Sequence, residues 1–161
     1  MIKHIVEIVV PNATAERFYD FMINPCDKRY SEWWPGEHLQ FHILENGDEN
    51  HVGDILFMDE YLGSNHRLTF KAITVTANRP NKIEWQMMKA GLRLPAIVNF
   101  ELFDSDDGLR LKHELRLGYS GVGKILDSLI KLYFNKSFQN ALDEHCKKEW
   151  FKLVEYLASE S

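Results

Sequence analysis

Between residues 109 and 117 apolar and charged side chains alternate. Leu109, Leu111, Leu115 and Leu117 fall on one face, and Arg110, Lys112, Glu114 and Arg116 on the other. A period of two marks a β-strand with one covered and one wet face, and His113 falls on the covered side. Strand-like runs of the same kind occupy residues 2–10, 39–45, 54–62, 67–76, 82–88, 96–104 and 109–119. Turn chemistry separates them: Asn46 with Gly47, Gly63 with Ser64 and Asn65, Pro80 with Asn81, and Asp104 to Gly108. After the second run no helical pattern intervenes that could carry a parallel crossover, so the spacing predicts an antiparallel meander.

The period lengthens to 3.6 in two places. Asn12 stands as a cap before a predicted helix over 13–22, whose Phe18, Phe21 and Met22 lie three and four residues apart. Pro25 ends it, because a residue before proline avoids the α region. A short second helix over 27–32 precedes the turn Trp33, Trp34, Pro35, Gly36. One long helix is then predicted over 121–157. Phe134, Phe138, Leu142, Cys146, Trp150, Leu153 and Leu157 form its apolar stripe, with Lys147, Lys148, Lys152 and Glu155 opposite. Its first part, 122–133, is apolar nearly all round behind Gly121 and Gly123, which suggests a bent or mobile entry segment. The expected fold class is α+β: seven curved antiparallel strands wrapped around one C-terminal helix, with two short helices between strands one and two. No repeat or linker interrupts it, so residues 1–161 read as one domain. A curved sheet closing on one helix leaves a hollow suited to small apolar molecules.

Composition narrows the partners. Hydrophobic residues make up 45% and charged residues 27%, an ordinary globular balance. A net charge of -5 argues against nucleic acid. No apolar run approaches the roughly 18 residues of a membrane span, so stable membrane insertion is not expected. The charged N-terminal run lacks a small-residue cleavage site, and a cytoplasmic location is expected. Cys26 and Cys146 do not make a disulfide framework, and Cys146, within the helical stripe, reads as a buried thiol.

This order of elements resembles the helix-grip fold of the START-like (SRPBCC) superfamily, and within it the polyketide cyclase/dehydrase and coenzyme Q-binding branch. Pro11, Asn12 and Glu16 lie where that family turns from its first strand into its first helix. Trp33, Trp34 and Pro35 match a recurring aromatic–proline turn, and Gly53 stands where a glycine opens the third strand. Residues 73–85 around Pro80 resemble a strand–turn–strand unit ending in an aromatic, and 118–157 a glycine-led terminal helix. The likeness spans nearly the whole chain but carries no catalytic signature. It implies a single ligand-binding domain whose internal cavity takes a small hydrophobic or amphipathic molecule such as a lipid, a quinone or an aromatic polyketide-like compound. The alternative is a cyclase or dehydratase using His113 as general acid or base, with Tyr119, Asp59 or Glu60 as partner. No cofactor is implied.

The expected cavity wall comprises Trp85, Met87, Phe100, Leu102, Leu111, His113, Leu115, Tyr119, Tyr133 and Phe138. Plain core packing is the competing account of the apolar members. For His113 it is a structural imidazole bonded to a backbone carbonyl or to Tyr119. The segment 125–134, with Lys124, Lys131 and Lys136 close by, suits a gate or a homodimer interface better than a membrane contact. Trp33 and Trp34 either edge the entrance or latch the short helices. His38 and His42 are expected to share a strand face without a third ligand, and His51 and His66 sit near turns, so no metal site is expected. Residues 104–108 lack the later glutamate of a calcium loop and read as a hairpin turn.

Overall fold

The computed structural model describes residues 2–63, 66–119 and 135–159. Strand β1 (Ile2–Val10) leads into helices α1 (Ala15–Ile23) and α2 (Asp27–Trp33). Strands β2 (His38–Glu45), β3 (Ile55–Leu62), β4 (His66–Asn78), β5 (Lys82–Lys89), β6 (Leu92–Ser105) and β7 (Gly108–Leu117) follow. Helix α3 (Lys136–Ser159) comes last. All seven strands form one antiparallel sheet in the order β1-β7-β6-β5-β4-β3-β2, so only β1 joins out of sequence, beside β7. Register shifts within the β2–β3, β4–β5 and β5–β6 pairs bend the sheet. Its concave face takes α1, α2 and α3, and a continuous apolar core unites Phe18, Trp33, Phe41, Trp85, Phe100 and Trp150. This is the helix-grip arrangement.

Three local expectations are corrected. Helix α1 is capped by Thr14, whose side chain accepts from the Arg17 N–H, while Asn12 takes a left-handed turn conformation at φ 62°. The Asp104 carboxylate reinforces that start by accepting from the Ala15 N–H at 2.7 Å, which ties the helix to the β6–β7 hairpin. Strand β7 ends at Leu117, because Gly118 turns to φ 128° and donates to the Pro95 carbonyl. Helix α3 begins at Lys136, where the Asn135 side chain accepts from the Phe138 N–H at 3.0 Å. The rest of the predicted helix, its Gly121 start and the expected gate at 125–134 lie outside the described residues, as does Tyr133.

The outer face of β7 is less wet than its charges suggest. Glu114 is buried beneath Lys3 and Arg116, both of which pair with it. The 104–108 turn is a hairpin turn, and Gly108 closes it at φ 121° with its Cα against the Val10–Pro11 backbone. A Cβ there would overlap the Val10 carbonyl oxygen. Gly108→Ala is therefore expected to cost on the order of 2 kcal/mol, read as a lower urea midpoint with an unchanged slope.

Candidate functional site

Between the sheet and α3 lies a cavity of about 390 Å³. Its mostly apolar wall is drawn from β3 to β7 and α3, with Met22 of α1 and Tyr30 of α2, and includes Trp85, Met87, Phe100, Leu115, Phe138 and Trp150. Alternation along the strands aims these side chains inward, and the three- and four-residue spacing of Phe138, Leu142, Cys146 and Trp150 turns one stripe of α3 toward them. Six of the ten wall residues expected from sequence line this space: Trp85, Met87, Phe100, His113, Leu115 and Phe138. Leu102 and Leu111 sit fully buried in the solid core, and Tyr119 follows β7 without joining the described wall.

His113 reaches the cavity stacked on Phe100, with ring centroids 4.7 Å apart, and edge-on to Trp150. Its Nδ1 lies 3.2 Å from the Cys146 Sγ. Burial pulls the imidazole down to about 3, helped by His4 and His145 nearby, and pushes the Cys146 thiol well up. At neutral pH both groups are uncharged. One hydrogen bond between two neutral groups then joins the thiol to Nδ1 and holds the ring in place. Among the described residues Cys146 is a hydrogen-bond partner of His113.

A second polar group stands on the same wall. His38 opens β2 directly opposite Glu60 of β3, so their side chains share a sheet face. His145 and Glu149 stand four residues apart on α3, one turn above the other. The four side chains offer nitrogen or oxygen atoms that all lie within 4.8 Å of one another. Nε2 of His38 is 3.6 Å from a Glu149 oxygen and 3.9 Å from a Glu60 oxygen. Exposure is 1% for His38, 5% for His145 and 7% for each glutamate. Aromatic rings hold the imidazoles in place: Tyr30 stacks on His38 at 4.1 Å and Trp34 on His145 at 4.6 Å. The Tyr30 hydroxyl donates to Glu60 at 2.5 Å, and the Trp33 indole N–H donates to the Glu149 backbone carbonyl at 3.1 Å. Trp33 therefore latches α2 onto α3, while Trp34 serves the cluster.

The electrostatics follow from burial. It draws His38 down to about 2 and His145 to about 4, and lifts Glu60 to about 7. Glu149 is pushed well up, first by burial and then by the charge of Glu60. Of the two adjacent carboxylates whose direction the sequence leaves open, Glu60 lines the cavity. Asp59 turns to the other face, where Arg67 and Thr69 hold it and the Arg67 guanidinium keeps its pKa low.

The expectation that His38 and His42 share a strand face is corrected. The register shift between His38 and Gln40 breaks that parity: His38 enters the cluster, and His42 pairs with Asp27 at 2.8 Å. His51 pairs with Asp54, and His66 packs edge-on to Phe138. The neighbours of His38 are legible in the sequence only as a fragment, in that His145 and Glu149 flank Cys146 and Trp150 on the inward stripe.

No family model and no curated protein matches the chain. Solved structures do. TTHA0849 from Thermus thermophilus aligns over 99% of both chains at 13% identity and a TM-score of 0.65. Ara h 8.0201 aligns over 98% of both at 9% identity and 0.65. The KanY protein aligns over 98% of this chain and 97% of its own at 12% identity and 0.63. The shared property is the helix-grip fold. No described helix is long and apolar enough to cross a membrane.

Proposed function

We propose that the protein binds a small amphipathic molecule, of the lipid, quinone or aromatic polyketide-like kind, inside the sheet–helix cavity. The cavity itself carries this reading. Its volume of about 390 Å³ falls within the roughly 300–1,000 Å³ of small-molecule sites, and its wall is mostly apolar with a few polar groups. Each 100 Å² of apolar guest surface removed from water contributes roughly 2.5 kcal/mol before the costs of immobilisation. Polar contacts for the other end of the guest are at hand. The indole N–H groups of Trp85 and Trp150 have no hydrogen-bond partner among the described residues, and the Nε2 of His113 can donate or accept according to its tautomer. The order of elements and the aromatic wall support a likeness to the polyketide cyclase/dehydrase and coenzyme Q-binding branch.

The cyclase or dehydratase alternative asks His113 to move protons. An imidazole held to about 3, with Cys146 on Nδ1, is a weak base at neutral pH, and that favours binding over turnover. Titration with the fluorescent probe 1-anilinonaphthalene-8-sulfonate, displaced by a short-chain quinone, tests the reading. Val98 lines the cavity, so Val98→Trp is expected to fill it and to weaken probe and quinone at least tenfold with little change in melting temperature. Equal affinity in wild type and in a folded Val98→Trp variant would place the guest elsewhere and sink the proposal.

A further inference from the structure

We propose that His38, Glu60, His145 and Glu149 bind one divalent transition-metal ion of the zinc class on the wall of the cavity.

The placement comes from two independent features of the fold. A cross-strand pair brings His38 and Glu60 to one sheet face, and an i,i+4 pair brings His145 and Glu149 to the facing side of α3. Bonds of 2.0–2.2 Å in a tetrahedral site put neighbouring donor atoms about 3.3–3.6 Å apart. The His38–Glu149 separation of 3.6 Å already meets that spacing, and the 3.9 Å to Glu60 needs a shift of a few tenths of an ångström.

Hydrogen bonding points the same way. Apart from a loose approach of His38 to the Tyr30 backbone, neither imidazole has a hydrogen bond of good geometry to a described residue on either ring nitrogen. Two buried imidazoles without partners are costly, and each unmade bond penalises the fold unless another acceptor of their lone pairs is present. A cation supplies that acceptor. Charge adds a second reason. Among the described residues neither Glu60 nor Glu149 pairs with a lysine or arginine, and their only ion-pair contact is His38. Two carboxylates in an apolar cavity need two protons or one dication, and a dication also uses the imidazoles.

Donor chemistry selects the ion. Two nitrogens and two carboxylate oxygens suit zinc, cobalt, iron or manganese, whereas calcium and magnesium prefer all-oxygen shells. The surroundings are those of a built site. Tyr30 orients Glu60 through its hydroxyl, Trp33 fixes the turn of α3 that carries Glu149, and stacked aromatic rings hold both imidazoles. Glu60, His145 and Glu149 also line the cavity, so a bound ion can take an oxygen atom of a guest as a further ligand.

The full chain, stripped with a chelator and dialysed, is titrated with Co²⁺ alone, followed by visible absorption and calorimetry, and then with Zn²⁺ in competition. The expected result is one equivalent per chain, with the intense visible bands of low-coordinate cobalt bleached by zinc. Glu149→Gln and Glu60→Gln, which keep side-chain size, are expected to weaken Co²⁺ at least 100-fold. His42→Ala, outside the cluster, is expected to leave it unchanged. Circular dichroism identifies any variant that fails to fold, and the second glutamine variant then gives the reading. Absence of stoichiometric Co²⁺ binding to the folded wild type overturns the proposal. So does undiminished binding in a folded glutamine variant. Because no guest is present, either failure leaves the cavity-binding proposal standing.

Discussion

Replacing Trp150 with alanine is expected to remove about 4 kcal/mol of folding stability, the mid-range cost of emptying a buried tryptophan site. Trp150 is 2% exposed. Its ring meets Phe18 of α1 at 5.3 Å, Trp33 of α2 at 5.8 Å, Phe100 of β6 at 5.6 Å and His113 of β7 at 5.7 Å. One side chain thus joins the three described helices to the sheet. Its loss removes dispersion contacts on four sides, and rings anchored on four elements cannot close the gap together. Trp150 also lines the cavity, so the deleted volume would add to the space already present. Domains of this size have about 5–15 kcal/mol to lose, so the variant should retain a fold with a sharply lower urea midpoint. A loss under 1 kcal/mol would mean that other contacts hold α3 to the sheet.

Much of this architecture is legible from the alternation of residues. The covered face of β7 and the inward stripe of α3 follow from simple periods, and burial enforces both, since a slip of one residue would turn leucines to water. The site is less legible for three physical reasons. Parity fails at β2, where a register shift after His38 separates it from His42. It is undecided at β3, where apolar residues on both faces hide that Glu60 looks inward and Asp59 toward Arg67. The pairing of His38 and Glu60 with His145 and Glu149 spans about a hundred residues, and no local rule announces contacts of that range. The distinction between wall and core is equally invisible. Leu102 and Leu115 both sit on inward strand faces, yet only Leu115 meets open space.

The acid limb of the stability curve is expected to flatten when His113 becomes leucine. In the folded protein burial holds His113 to about 3, whereas the unfolded chain takes up the proton near 6.5. Between those values the unfolded state binds more protons, so stability is complete above pH 6.5 and falls as the pH drops, by about 1.4 kcal/mol per unit. Over the whole interval this amounts to about 4–5 kcal/mol. Lowered His4, His38 and His145 act in the same direction. The raised glutamates act in the opposite one: their protons bind the folded chain first, so stability from Glu60 grows as the pH falls from about 7 toward 4.5. His113→Leu keeps an apolar side chain against Phe100 and removes one histidine from the balance. The cost is a Cys146 thiol without its imidazole partner, which is small for so weakly hydrogen-bonding a group. Urea titrations of both proteins at pH 6.5, 5.5 and 4.5 should therefore show the wild type losing about 1.4 kcal/mol more per pH unit than the variant. Parallel slopes would mean that His113 titrates as freely as in the unfolded chain. It would then be free to act as a base near neutral pH, and the preference for binding over turnover would lose its footing.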